Sequence, residues 1–131
     1  MLLGFHVTKT TVFVLAGKED IGFLYAWRRD ESFKFIGVLD VTGHRYNWLD
    51  GFQETLVLSS KTSIHFWNPS TNKKTSFNVK YQVFPSTAKV EGGMLFIEQG
   101  GHTMSVYDVA VQEYLAASSP SCSPLKLLFV I

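Results

Sequence analysis

The sequence predicts an all-β fold assembled from three consecutive four-stranded antiparallel units. Three observations carry that prediction. Aromatic residues end strand-like runs at positions 27, 67 and 107, an interval of 40 each time. β-Branched and aromatic residues crowd every apolar run, the composition that suits a pleated, half-buried surface. No segment carries apolar residues at i, i+3, i+4 and i+7 through three turns, so no amphipathic helix is expected.

In chain order, the first unit offers residues 3–7, then Val12-Phe13-Val14-Leu15, the polar turn Gly17-Lys18-Glu19-Asp20, Phe23-Leu24-Tyr25-Ala26-Trp27, and residues 33–36. The second offers residues 45–48, Leu56-Val57-Leu58, the turn Ser59-Ser60-Lys61-Thr62, Ile64-His65-Phe66-Trp67, and residues 75–79. The third offers residues 81–84, Met94-Leu95-Phe96-Ile97, the turn Gln99-Gly100-Gly101-His102, Met104-Ser105-Val106-Tyr107, and residues 112–115. Ser63-Ile64-His65-Phe66 alternates, placing Ile64 and Phe66 on one face. Each closing aromatic is followed by a polar residue: Arg28, Asn68 and Asp108.

Four short strands in about 40 residues is the signature of a β-propeller blade. The expected domain is residues 1–117, with units at about 3–38, 43–79 and 81–117. Closed propellers usually hold about four to eight blades, so three blades read as an incomplete array. Residues 118–131 read as a Ser/Pro linker followed by an apolar tail, Leu125-Lys126-Leu127-Leu128-Phe129-Val130-Ile131. Such a tail needs a strand edge to pair with. The expected behaviour is therefore self-association through open blade edges, or binding to a protein partner, with removal of 118–131 changing it.

The chain has 131 residues, 46% apolar and 18% charged, which is globular composition. A net charge of +1 argues for neither a polyanionic partner nor a membrane surface. No apolar run approaches the roughly 18 residues that span a bilayer. The start lacks the basic and apolar regions of a signal peptide. The single cysteine, Cys122, allows no intramolecular disulfide and suits a reducing compartment: an intracellular, cytoplasmic location is expected, with the nucleus as the alternative.

Catalytic and metal-binding patterns are not found. His6, His44, His65 and His102 have no metal-pair spacing. Gly92-Gly93 and Gly100-Gly101 lack the spacing of a phosphate loop and read as hairpin turns. Ser59, Ser60 and Ser63 do not sit in a nucleophile elbow. Asp20, Asp40, Asp50 and Asp108 read as turn residues. Arg28-Arg29 and Lys73-Lys74 fall in equivalent turns and read as solvated hairpin tips rather than a nucleic-acid surface. The expectation is a non-enzymatic protein without cofactor or metal; a small hydrolase using one of the histidines is the weaker alternative.

On these residues the chain resembles the WD40 repeat family over about residues 3–117. Gly43-His44 stands where that family has its GH pair, and Trp67-Asn68 where it has its closing WD pair. Tyr107-Asp108 and Trp27-Arg28 are looser versions. The resemblance implies a protein-interaction scaffold and a buried hydrogen-bond tetrad. His44, Ser59 and Trp67 match three of its members, and Lys61 stands where the fourth, an Asp, is expected. Trp67-Asn68-Pro69-Ser70-Thr71, with Asp50-Gly51 upstream, also resembles an element of F-box-associated domains, which implies substrate recognition for a ubiquitin ligase.

Overall fold

The computed structural model describes residues 1–43, 45–46, 48–100 and 103–118, the side chain of Ser118 excepted. Among these residues every helix-or-strand element is a strand. The first sheet holds β1 (Leu2–Val7), β2 (Thr11–Lys18), β3 (Ile21–Arg28) and β4 (Phe35–Asp40). The second holds β5 (Trp48–Phe52), β6 (Thr55–Ser59), β7 (Ser63–Asn68) and β8 (Lys73–Asn78). The third holds β9 (Ala88–Glu91), β10 (Met94–Glu98), β11 (Met104–Asp108) and β12 (Glu113–Ser118). Within each sheet the strands pair in chain order, all antiparallel, as short hairpin connections require.

The hairpins follow from their turn residues. Glu91 pairs with Met94, leaving Gly92 and Gly93 at φ 59° and 79°, the double left-handed turn that glycine adopts without steric cost. Burial then reports how the sheets stack. β2 alternates buried with half-buried residues, because only one of its faces is covered. All five residues of β6 are buried, because the second sheet is covered on both sides.

Phe13, Leu15, Leu24 and Ala26 of the first sheet pack against Leu56, Leu58 and Trp67 of the second. On the second sheet's other face, Val57, Ile64 and Phe66 pack against Leu95, Ile97 and Tyr107 of the third. The first strand of each unit gathers along one seam, with β5 beside both β1 and β9.

Several strand positions differ from the expected ones. The strand expected at 45–48 begins only at Trp48 and runs to Phe52, so Asp50, expected in a turn, lies inside β5. The strand expected at 81–84 is β9, later in the chain. Phe84 instead opens a turn, accepting the Thr87 N–H at 2.9 Å and donating its own N–H to Thr87 Oγ1 at 3.0 Å. Phe33 and Gln112, expected to begin strands, sit in turns at φ 44° and 59°. Of the linker and tail expected at 118–131, Ser118 is instead the last residue of β12, and 119–131, with Cys122, lie outside the described residues, as do His44 and His102.

Candidate protein-interaction surface

Trp27, Trp67 and Tyr107 are each the next-to-last residue of the third strand of their sheet, opposite Val12, Leu56 and Leu95. Trp67 is 1% exposed and meets Phe13 of the first sheet edge-on, at 6.3 Å between centroids. Tyr107 is 5% exposed and meets Phe66 and Phe77 of the second sheet at 6.0 and 5.1 Å. Burial, and more weakly the neighbouring Tyr114, raises the Tyr107 hydroxyl above its ordinary pKa. Each of these two aromatics therefore faces the sheet before its own. Trp27 faces the same way with no sheet described beyond it, and remains half-buried.

The turns after these aromatics are held by carbonyl-bearing side chains. Asn68 Oδ1 accepts the N–H groups of Ser70 and Thr71 at 2.9 and 3.3 Å, so Trp67-Asn68-Pro69-Ser70-Thr71 runs from β7 into the β7–β8 turn. Asp108 Oδ1 accepts the Val111 N–H at 3.2 Å. The Trp67 indole N–H donates to Asn72 Oδ1 at 3.3 Å, in that same turn. Ser59 is fully buried at the end of β6, opposite Ile64 and Trp48.

A second set of equivalent positions lies on the first strands. His6, Asp50 and Lys89 stand opposite Phe13, Val57 and Phe96. His6 Nε2 is 3.4 Å from Asp50 Oδ1, and Asp50 Oδ2 accepts the Val90 N–H of the next sheet at 3.3 Å. Asp50 thus ties three sheets together. Sequence reasoning missed this row because the three residues share no chemical type, and only the strand register reveals their equivalence. Lys89 pairs with Glu91 at 2.8 Å; that hydrogen bond and charge raise the Lys89 pKa and lower that of Glu91.

The basic turns are engaged inside the molecule. Lys73 Nζ donates to Val111 O, in the β11–β12 turn, at 2.7 Å, and Arg29 Nη1 to Thr8 O at 2.9 Å. Arg28 lies 3.7 Å from Glu54. His65 has hydroxyls at both ring nitrogens, Ser63 at 3.0 Å and Ser76 at 2.7 Å, with Tyr46 edge-on to its ring. Among the described residues no group of three His, Cys, Asp or Glu could hold a metal ion, and no helix could cross a membrane.

Among the described residues no sheet covers the outer face of the first sheet, and that face is apolar. Strand register lays two rows across it: Val7, Val12, Trp27 and Phe35, then Phe5, Val14, Tyr25 and Val38. All eight side chains are apolar or aromatic, and none is charged. Phe5 is 65% exposed, and Phe35 and Val38 are each 48% exposed. The rings of Phe23, Tyr25 and Trp27 follow one another at 6.3 and 6.0 Å along the strand.

Three stacked four-stranded antiparallel meanders, recurring so that Trp27, Trp67 and Tyr107 fall 40 residues apart, are blades of a β-propeller. Solved structures bear this out. The HIRA fragment 644–1017 superposes with a TM-score of 0.62 at 14% identity, over 93% of this chain and 42% of that one. The computationally designed Ika4 protein gives 0.58 at 12% identity, over 90% and 72%. The WD40 domain of Toxoplasma gondii coronin gives 0.54 at 12% identity, over 88% and 34%. The chain thus spans less than half the length of the HIRA and coronin structures. No protein-family model matches the sequence, and no curated protein matches it.

Proposed function

We propose that the chain is a WD40-like propeller segment that works as a non-enzymatic protein-interaction scaffold. Its docking surface is the free face of the first sheet. The observation that carries this reading is the pair of apolar rows crossing that face, with Phe5, Phe35 and Val38 held in solvent. Exposed apolar surface of this extent marks interaction sites in soluble proteins, and aromatic residues are enriched at the cores of protein interfaces. The engagement of Arg28, Arg29 and Lys73 within the molecule supports a protein partner over a nucleic acid. The hydroxyls holding both nitrogens of His65 support a structural imidazole over a catalytic base. No cofactor enters this reading, and a reducing intracellular compartment suits a chain with the single Cys122.

The test is affinity capture with the native chain and with a Phe5→Glu/Val38→Glu variant shown by circular dichroism to be folded. The native chain should recover a protein at near-equimolar ratio, and the variant should not. Recovery indifferent to the substitutions, or ester turnover removed by His65→Ala, would replace the scaffold reading.

A further inference from the structure

Val106 is buried on a face that no described strand covers. It is 1% exposed, yet it belongs to neither packed core of the chain. Its neighbour Tyr107 faces the second sheet, so Val106 points to the opposite side, in register with Phe96 and Ala116. The open face of the first sheet shows what the lack of a cover does. Val12 and Val14, mid-sheet beside Trp27 and Tyr25, keep part of their surface in water. On the Val106 side, Met94, Phe96 and Met104 are half-buried, whereas Glu113 and Ala116 of the outer strand β12 are exposed. The cover therefore lies over β10 and β11 and stops short of β12.

The repeat indicates which part of the chain belongs there. β5 and β9 begin at Trp48 and Ala88, 40 residues apart, the interval at which Trp27, Trp67 and Tyr107 recur. One further interval from β9 reaches Leu128-Phe129-Val130-Ile131. Nine residues, 79–87, connect β8 to β9, and nine, 119–127, separate the end of β12 from Leu128. All four residues of 128–131 are apolar, and three are β-branched or aromatic, the types that suit a strand. The first strand of a unit also packs on the sheet before it: Ala88 and Val90 of β9 lie against the second sheet, with β9 beside β5. A strand one step further along that seam covers the third sheet from the seam outward and leaves β12 bare, which is the observed pattern of exposure. Charge agrees. Glu98, Asp108 and Glu113 share the side of Val106, and the only charged residue in 119–131 is Lys126.

We propose that Leu128–Ile131 form the first strand of a fourth repeat and cover the third sheet of their own chain. A stacked array needs its terminal unit capped, and here the chain supplies the cap at one end and leaves the first sheet open at the other. The inference is independent of the docking role given to the first sheet.

The experiment is methionine oxidation by dilute peroxide, read by mass spectrometry on the full chain. Met1, 81% exposed, is the internal reference. Met94 and Met104 should oxidise several-fold more slowly than Met1. Replacing Leu128, Phe129, Val130 and Ile131 together by Ser should speed oxidation of both several-fold, in a chain whose circular dichroism is unchanged. Rates unaffected by that replacement overturn the proposal. A second measurement serves should the Ser variant fail to fold. Phe129→Cys and Val130→Cys are made singly in a Cys122→Ser chain, and their reaction with a maleimide is timed. Adjacent strand residues point to opposite sides, so one thiol should react several-fold more slowly than the other, and equal rates overturn the proposal. Protection that disappears on dilution also overturns it, because the covering segment then comes from a second copy.

Discussion

Phe33 lies flat against Trp27, ring centroids 6.0 Å apart and planes within 5° of parallel, and it holds this place with a positive φ of 44°. The two corresponding turns do the same with other chemistry. Asn72, at φ 57°, accepts the Trp67 indole N–H. Gln112, at φ 59°, accepts the Thr75 hydroxyl at 2.7 Å and donates to Lys73 O at 3.1 Å, reaching back to the preceding sheet. A left-handed backbone costs an L-residue about 1–2 kcal/mol, so each side chain returns stabilisation against a real penalty. An aromatic stack contributes about 0.5–1.5 kcal/mol. Phe33→Gly removes both penalty and stack, and should change stability by less than about 1 kcal/mol. Gln112→Ala keeps the penalty and strips a residue only 3% exposed of both its bonds. It should cost about 1–3 kcal/mol. Urea unfolding of the two variants checks the contrast; equal losses would contradict it.

Trp67 and Trp27 share a register position but not an environment. Trp67→Ala opens a cavity between two sheets and should cost about 3–5 kcal/mol. Trp27→Ala removes a half-buried ring from a free face and should cost about 1–2 kcal/mol in a monomer. The comparison is made by chemical denaturation at a protein concentration low enough to exclude association. A Trp27 loss as large as that of Trp67 would mean that its face is covered under those conditions.

That difference also marks where the sequence stops being informative. The 27/67/107 interval and the aromatic composition made the three-sheet architecture legible, because both arise from local pleat and turn requirements. The positions of β5 and β9 were not legible. Asp50 looks like a turn residue, yet it lies in a strand because its carboxylate bridges His6 and Val90 on the strands to either side. Val83 is apolar and fully buried, yet lies outside any strand. The apolar rows of the first sheet were equally hidden. Val7, Val12, Trp27 and Phe35 are scattered along the chain, and only the pairing register lines them up.

Gly17 and Gly22 pair directly across the β2–β3 hairpin, and they tolerate a methyl group differently. A Cβ on Gly17 would sit 2.2 Å from the Ile21 carbonyl oxygen, a backbone atom that moves only if the hairpin opens. A Cβ on Gly22 would sit 3.4 Å from a Val41 methyl, an ordinary contact. Gly17→Ala should therefore cost about 1–3 kcal/mol, and Gly22→Ala distinctly less. Thermal melts of both variants test the order, and a reversed order would show that the hairpin relaxes freely.

Acidification should weaken the fold in part through Asp40, the last residue of β4. Its carboxyl accepts hydrogen bonds from Thr42, foremost from the side-chain hydroxyl and then from the backbone N–H at 2.9 Å. These bonds favour the charged form and hold the Asp40 pKa below its ordinary 3.8. A carboxyl with a lowered folded pKa binds its proton more readily in the unfolded chain. Its contribution is complete above the ordinary value and is lost as the pH falls through the lower, folded value. Asp40→Asn removes that proton linkage and leaves an amide oxygen able to accept the same N–H. The native chain should therefore exceed Asp40→Asn in melting temperature at neutral pH, and the gap should narrow on titration to pH about 3. Asp40 is exposed, so the gap should be small and should also shrink in high salt. A gap that stays constant across the titration would show that the Thr42 bonds do not discriminate between the two protonation states of Asp40.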